Sequence, residues 1–84
     1  MYVEFLGIPR ERAGVSELEL EADTLGEALR TLIARVPALE GLVTPSGLHP
    51  SIVANLNGDE FVCDPGTRLA PRDRLLLLSS DVGG

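Results

Sequence analysis

The residues with the clearest chemical potential in this sequence are its last two, Gly83 and Gly84. Paired glycines add no side-chain bulk, so they can thread a narrow channel that rejects any β-carbon. The C-terminal carboxylate of Gly84 is ionised at neutral pH and is a poor electrophile until activated. The biological route to activation is an acyl-adenylate made with ATP. The adenylated carbonyl is then open to a persulfide or sulfide, which leaves a thiocarboxylate, or to a lysine amine, which leaves an isopeptide bond. No Walker-type glycine-rich loop occurs in the chain, so no cofactor is expected on it and ATP-Mg has to be supplied through a second, activating enzyme. Asp81, Val82, Gly83 and Gly84 are expected to form a flexible tail, residues 81–84, behind a folded domain of residues 1–80. Extended, four residues reach ~14 Å.

Other reactive side chains are sparse. Cys63, the single cysteine, has no nearby His or Cys with which to make a metal site or an activated thiol, so strand-end packing is its expected role and no metal is expected. His49, in a loop beside Pro50, reads as a surface side chain. Glu17, Glu19 and Glu21 form either a solvated strand face or an attractor for a basic partner.

The tail needs a scaffold, and the periodicity supplies one. Tyr2 to Ile8 is rich in β-formers and ends at Pro9; the polar turn Arg10-Glu11-Arg12-Ala13-Gly14 follows. From Val15 to Glu21, Leu18 and Leu20 alternate with the three glutamates, the period of a strand wetted on one face. The two segments read as a hairpin. Thr24-Leu25-Gly26-Glu27 has capping-box spacing, and Leu25, Ala28, Leu29, Leu32, Ile33 and Val36 recur as one helical stripe that Pro37 terminates. Residues 37–50 are a Pro/Gly/Ser-containing connection. Ser51 to Asn57 is a third strand; Asn57-Gly58 suits a type I′ turn. A short strand lies around Phe61 and Val62, and a last one runs from Arg74 to Ser80 with four consecutive leucines. A run apolar on both faces suits a central strand, so the last strand belongs beside the first. The layout is α+β, a mixed sheet with one main helix packed on one face: the ubiquitin-like β-grasp. On the outer face of that sheet, Leu76 and Leu78, extended by Phe5 or Leu6, are expected to be a docking surface beside the tail, in line with Val82 and Asp81.

Bulk properties narrow the function. A chain of 84 residues buries only ~60–65% of its unfolded surface and is expected to spare no concave pocket of ~300 Å³ or more for a substrate, which counts against an enzyme. Its net charge of −6, with no basic patch, repels phosphate backbones and excludes nucleic acid as a direct ligand. All seven basic residues are Arg: either compositional drift, or avoidance of internal amines that would capture an activated terminus. The first residues lack a basic, apolar leader pattern, and the longest pure apolar run, Leu75 to Leu78, is far short of the ~20 residues that span a bilayer. Neither membrane association nor an oxidising compartment is expected, and cytoplasm is the default.

The opening strand, the Asp23-Thr24-Leu25-Gly26-Glu27-Ala28-Leu29 helix start, the Asn57-Gly58 hairpin and the ending Asp81-Val82-Gly83-Gly84 together resemble the MoaD/ThiS family of sulfur carriers, over essentially the whole chain. The resemblance implies an E1-like adenylating enzyme acting on Gly84, with Gly83 and Val82 as channel-threading neighbours. It also implies a sulfur donor (a persulfide enzyme) and an acceptor synthase that consumes the thiocarboxylate. Length and the long connection before Ser51 look most like the small subunit of molybdopterin synthase, whose large subunit would be the acceptor. One departure is that Leu78-Ser79-Ser80-Asp81-Val82 stands where that branch often carries Phe-Pro-Pro-Val. Thiamine, cysteine, thiolated tRNA and secondary metabolites are the alternative destinations, and a ubiquitin-like protein modifier is the alternative class.

Overall fold

The computed structural model describes residues 1–81 in full and the backbone of residues 82 and 83; Gly84 lies outside the described residues. In chain order the elements are β1 (Tyr2–Leu6), α1 (Ile8–Ala13), β2 (Glu17–Glu19), α2 (Leu25–Arg35), a 3-10 turn (Pro37–Leu39), β3 (Val43–Thr44), β4 (Gly47–Leu48), β5 (Ile52–Leu56), β6 (Glu60–Val62), β7 (Arg74–Ser79) and α3 (Ser80–Gly83). The main sheet has the order β2-β1-β7-β5-β6, and β3 and β4 make a separate two-stranded ribbon. β1 and β7 run parallel, Val3 opposite Leu75 and Phe5 opposite Leu77. The other pairs in the main sheet are antiparallel. The last strand lies beside the first, at the centre, as its apolar run requires.

α2 forms because its cap and its stripe agree. Thr24 Oγ1 accepts the Glu27 N–H at 3.2 Å, and Glu27 Oε2 returns to the backbone N–H of Asp23 at 3.0 Å. The reciprocal bond of the capping box is thus made one residue ahead of the cap. Leu25, Ala28, Leu29 and Leu32 are fully buried against the inner sheet face of Val3, Phe5, Ile52, Ala54, Leu56, Leu75 and Leu77. Each large side chain buried there stabilises the fold by ~1.5–3 kcal/mol relative to exposure. Ile33 and Val36, at the edge of the stripe, are half-buried.

Two local elements depart from the sequence reading. The expected polar turn at 10–14 is a helix, α1, with Pro9 in its first turn and Gly14 as its left-handed C-terminal cap at φ 75°. Proline at a helix start and glycine just past its end are the usual asymmetry. The 37–50 connection holds the 3-10 turn and the β3–β4 ribbon, and it covers part of the core with Leu39, Leu42 and Val43. The Asn57-Gly58 turn has positive φ at both residues, 58° and 74°, as type I′ geometry demands.

Asp73 ties that turn to the start of β7. Its Oδ2 accepts the Ala70 N–H at 2.7 Å and its Oδ1 accepts Asn57 Nδ2 at 3.0 Å, while Asn57 Oδ1 accepts the Arg74 N–H at 2.9 Å. The Ala70 backbone bond first, then the Asn57 amide, holds the Asp73 carboxyl below its ordinary value of 3.8. A carboxyl depressed on folding contributes stability that is complete above the unfolded value and is lost as pH falls through the folded one. The site is solvent-exposed, so Asp73→Ala should cost no more than about 1 kcal/mol at pH 7. Thermal melts of both proteins across pH should show that gap closing below about pH 4; a gap that widens on acidification would contradict the assignment.

Candidate functional site

β7 positions the chain end. Its inward residues Leu75 and Leu77 are fully buried, and Ser79, the next inward position, is a polar residue buried to 4% exposure. The Ser79 hydroxyl accepts the Ile8 N–H at 2.7 Å, which fastens the start of α1 to the end of β7. Ser80 then donates its N–H to the Ser51 carbonyl at 2.8 Å, and the backbone of Ser80–Gly83 closes one helical turn, α3. Asp81 is exposed. The terminus is therefore rooted at the sheet's central strand, where β1, β5 and the head of α1 meet. The proposed reacting residue Gly84 lies outside the described residues, and for Val82 and Gly83 only the backbone is described.

Strand register sets which side chains share the outer face. Glu4, Leu76, Asn55 and Phe61 align in one row, and Leu6, Leu78 and Val53 in the next. Leu6 is 38% and Phe61 62% exposed, and Leu76 and Val53 are half-buried. Leu78 shares this face but is only 7% exposed, so it supports the patch more than it offers contact area. Phe5 requires correction. It is 3% exposed and packs in the core, because alternation along β1 turns Val3 and Phe5 inward and Tyr2, Glu4 and Leu6 outward. Leu6 takes the surface position expected of Phe5. Val53 and Phe61 were not anticipated on this face; their alternation was legible, but their placement needed the β5–β7 and β5–β6 registers.

The same face carries charge along one side. Tyr2 lies opposite Glu19, and Glu4 opposite Glu17. The Arg74 guanidinium sits 2.8 Å from Glu4 Oε1 and 4.9 Å from the Tyr2 ring centroid. The Glu4 hydrogen bond raises the Arg74 pKa further, so Arg74 is a fixed cation among carboxylates. An apolar patch with an acidic flank suits a partner surface that is apolar at its centre and basic at its rim.

Surface hollows are larger than a chain of this size was expected to spare: about 510 Å³ near Leu6, Gly7 and Arg10, about 360 Å³ between α2 and β3, and about 350 Å³ beside Met1 and Pro71. They are bounded by surface loops and element ends. Among the described residues no group of three or more His, Cys, Asp or Glu is placed to hold a metal, and no helix is long and apolar enough to cross a membrane. Cys63 is exposed, not packed at a strand end. His49 Nδ1 is 2.8 Å from the Ser51 hydroxyl and accepts the Ser51 N–H at 3.1 Å, a local contact on the surface.

No protein-family model matches the sequence, and no curated protein matches it either. Solved structures do match. SAMP1 from Haloferax volcanii superposes with a TM-score of 0.74 at 28% identity, over 93% of this chain and 91% of that one. Mycobacterium tuberculosis CysO gives 0.75 at 28% identity, over 93% and 96%. CysO in the Amycolatopsis orientalis BexX/CysO complex gives 0.77 at 24%, over 93% and 92%. The fold is a MoaD/ThiS-type, ubiquitin-like β-grasp. Two of the neighbours are named small archaeal modifier proteins, and SAMP1 and CysO match this β-grasp chain over more than nine-tenths of its length and of theirs.

Proposed function

We propose that this β-grasp chain is a sulfur carrier: Gly84 is adenylated by a partner enzyme, converted to a thiocarboxylate by a persulfide donor, and consumed by an acceptor synthase. The observation that carries this reading is the path of β7. The central strand, held on both sides, leads through the single helical turn of α3 to the diglycine sequence, beside an apolar, acid-flanked face. Likeness to the carrier and modifier proteins supports it, as does a solved complex in which CysO is joined to BexX. In the activation step the Gly84 carboxylate attacks the α-phosphorus of ATP and pyrophosphate leaves. The persulfide sulfur then displaces AMP, and reductive cleavage of the S–S bond by a thiol frees the thiocarboxylate.

The acceptor proposed here is the large subunit of molybdopterin synthase, on chain length and the long connection before Ser51. Thiamine, cysteine, tRNA-thiolation and secondary-metabolite acceptors would draw on the same terminus. Incubation with ATP-Mg, an adenylating enzyme and a persulfide donor should raise the intact mass by ~16 Da, one sulfur for one oxygen. An unchanged mass under conditions that thiolate a known carrier would refute the proposal.

A second reading, conjugation to target lysines, is favoured by the 28% identity to a small archaeal modifier protein. It would give higher-mass species that survive reducing agents.

Docking through the outer sheet face has its own test. Leu6→Glu places a charge in the patch at an already exposed site, so the fold should keep its melting temperature. Affinity for the adenylating enzyme should fall by roughly 10-fold or more, a loss of ~1.4 kcal/mol or greater at one central contact. Unaltered affinity in a binding titration would move the interface elsewhere.

A further inference from the structure

We infer that the folded chain is closed to acylation by its own activated end, so that it forms single-copy adducts and no homotypic chains. This rests on the carrier or modifier reading and extends it to what the activated terminus can attack. Amide formation needs an amine lone pair with an open approach to the Gly84 carbonyl carbon. The nitrogen forms the new C–N bond, the bond from that carbon to the AMP oxygen breaks, AMP departs, and a proton goes to solvent. None of the 84 residues is Lys, and the seven cationic side chains are all Arg, whose guanidinium stays protonated and offers no lone pair.

In a chain that begins at Met1 the remaining amine is the Met1 α-amine, held in a buried hydrogen bond. Met1 is 6% exposed with its side chain in the core. Its nitrogen donates to the Leu20 carbonyl at 2.9 Å, and its own carbonyl accepts the Leu20 N–H at 3.0 Å. The next N–H, of Tyr2, is held by the Asp73 carbonyl at 3.1 Å. Acylation at Met1 requires the start of β1 to open from two neighbours at once. The exposed Cys63 thiol could accept the acyl group only as a thioester, which any free thiol or amine removes again.

Two measurements test this without the adenylating enzyme. In the first, the chain beginning at Met1 is treated with the N-hydroxysuccinimide ester of acetic acid at neutral pH, quenched with hydroxylamine and weighed. The native protein should acquire its one acetyl group at least about tenfold more slowly than the denatured protein. Native Arg72→Lys should gain one acetyl at the rate at which that same lysine is acetylated in the denatured variant. In the second, the chain carrying Gly84 as a chemically prepared thioester is incubated with glycinamide. It should yield the glycinamide adduct and no hydroxylamine-resistant dimer, whereas Arg72→Lys should yield both. Native acetylation as fast as that of the denatured chain, or a hydroxylamine-resistant dimer from the wild type, would overturn the inference. Failure of the carrier reading would appear separately, as the missing ~16 Da gain with the activating enzyme present.

Discussion

Removing Gly83 and Gly84 is expected to abolish thiocarboxylate formation completely while leaving the melting temperature within about 2 °C of the full chain. The two effects separate because the described core ends at β7. Leu75 and Leu77 are its last fully buried side chains, and the Ile8–Ser79 and Ser80–Ser51 hydrogen bonds both lie before the deleted pair. Chemistry is lost because shortening the chain by two residues withdraws the carboxylate by up to ~7 Å, far beyond the near-contact distance that acyl transfer demands. Val82 at the new end would also bring a β-carbon into any passage narrow enough to admit glycine alone. Intact mass after activation, set beside a thermal melt, reads both quantities. A truncated chain that still gains sulfur, or still performs its cellular role, would make the diglycine incidental and the protein a plain β-grasp interaction module.

The largest effect on stability is expected at Gly7→Ala. Gly7 has φ 70° and ψ −133°, a region that residues with a β-carbon avoid, at a cost of ~1–3 kcal/mol. An added β-carbon would also run into the Ser79 hydroxyl and lie 3.1 Å from Ser79 Cβ. Crowding of that kind adds ~1–3 kcal/mol. Together they imply a loss of ~2–6 kcal/mol, which at ~4–8 °C per kcal/mol for a domain of this size is a fall in melting temperature of at least about 8 °C. The same displacement would break the bond from the Ile8 N–H to Ser79 and leave a partly buried donor unmatched. Combining Gly7→Ala with Ser79→Ala should recover part of the crowding term and none of the backbone term. A double-mutant cycle by chemical denaturation measures the division. A Gly7→Ala protein as stable as the wild type would mean that the α1–β7 junction is far looser than its geometry indicates.

Much of the fold was legible because its signals are local. Thr24 and Glu27 announce the main helix by their spacing, Asn57-Gly58 needs no distant partner to favour its turn, and four successive leucines can be satisfied only in the middle of a sheet. What escaped depended on pairing or on short elements. α1 is six residues long, too short for a helical stripe to register, although Pro9 and Gly14 bracket it in the usual order. The β3–β4 ribbon has two residues per strand, below any readable alternation. Of the two residues the sequence offers for extending the outer face, Phe5 and Leu6, only Leu6 lies there, and Glu4 carries the phase: a charged residue half in water turns both of its neighbours inward. The apolar face of the candidate site was half legible. Leu76 and Leu78 came from β7 alone, whereas Val53 and Phe61 joined them only through registers that no single strand encodes.

The position of β7 has a consequence for biogenesis. Before that strand exists, the β2-β1 pair and the β5-β6 pair are separate hairpins with no sheet bond between them, and isolated two-stranded units are marginal in water. Synthesis proceeds from the N-terminus, so closure of the sheet awaits the last of its five strands to be translated. A nascent chain halted before β7 has no finished sheet and no strand to carry the residues that follow it. The strand that arrives last is thus the one that turns two marginal pairs into a stable sheet.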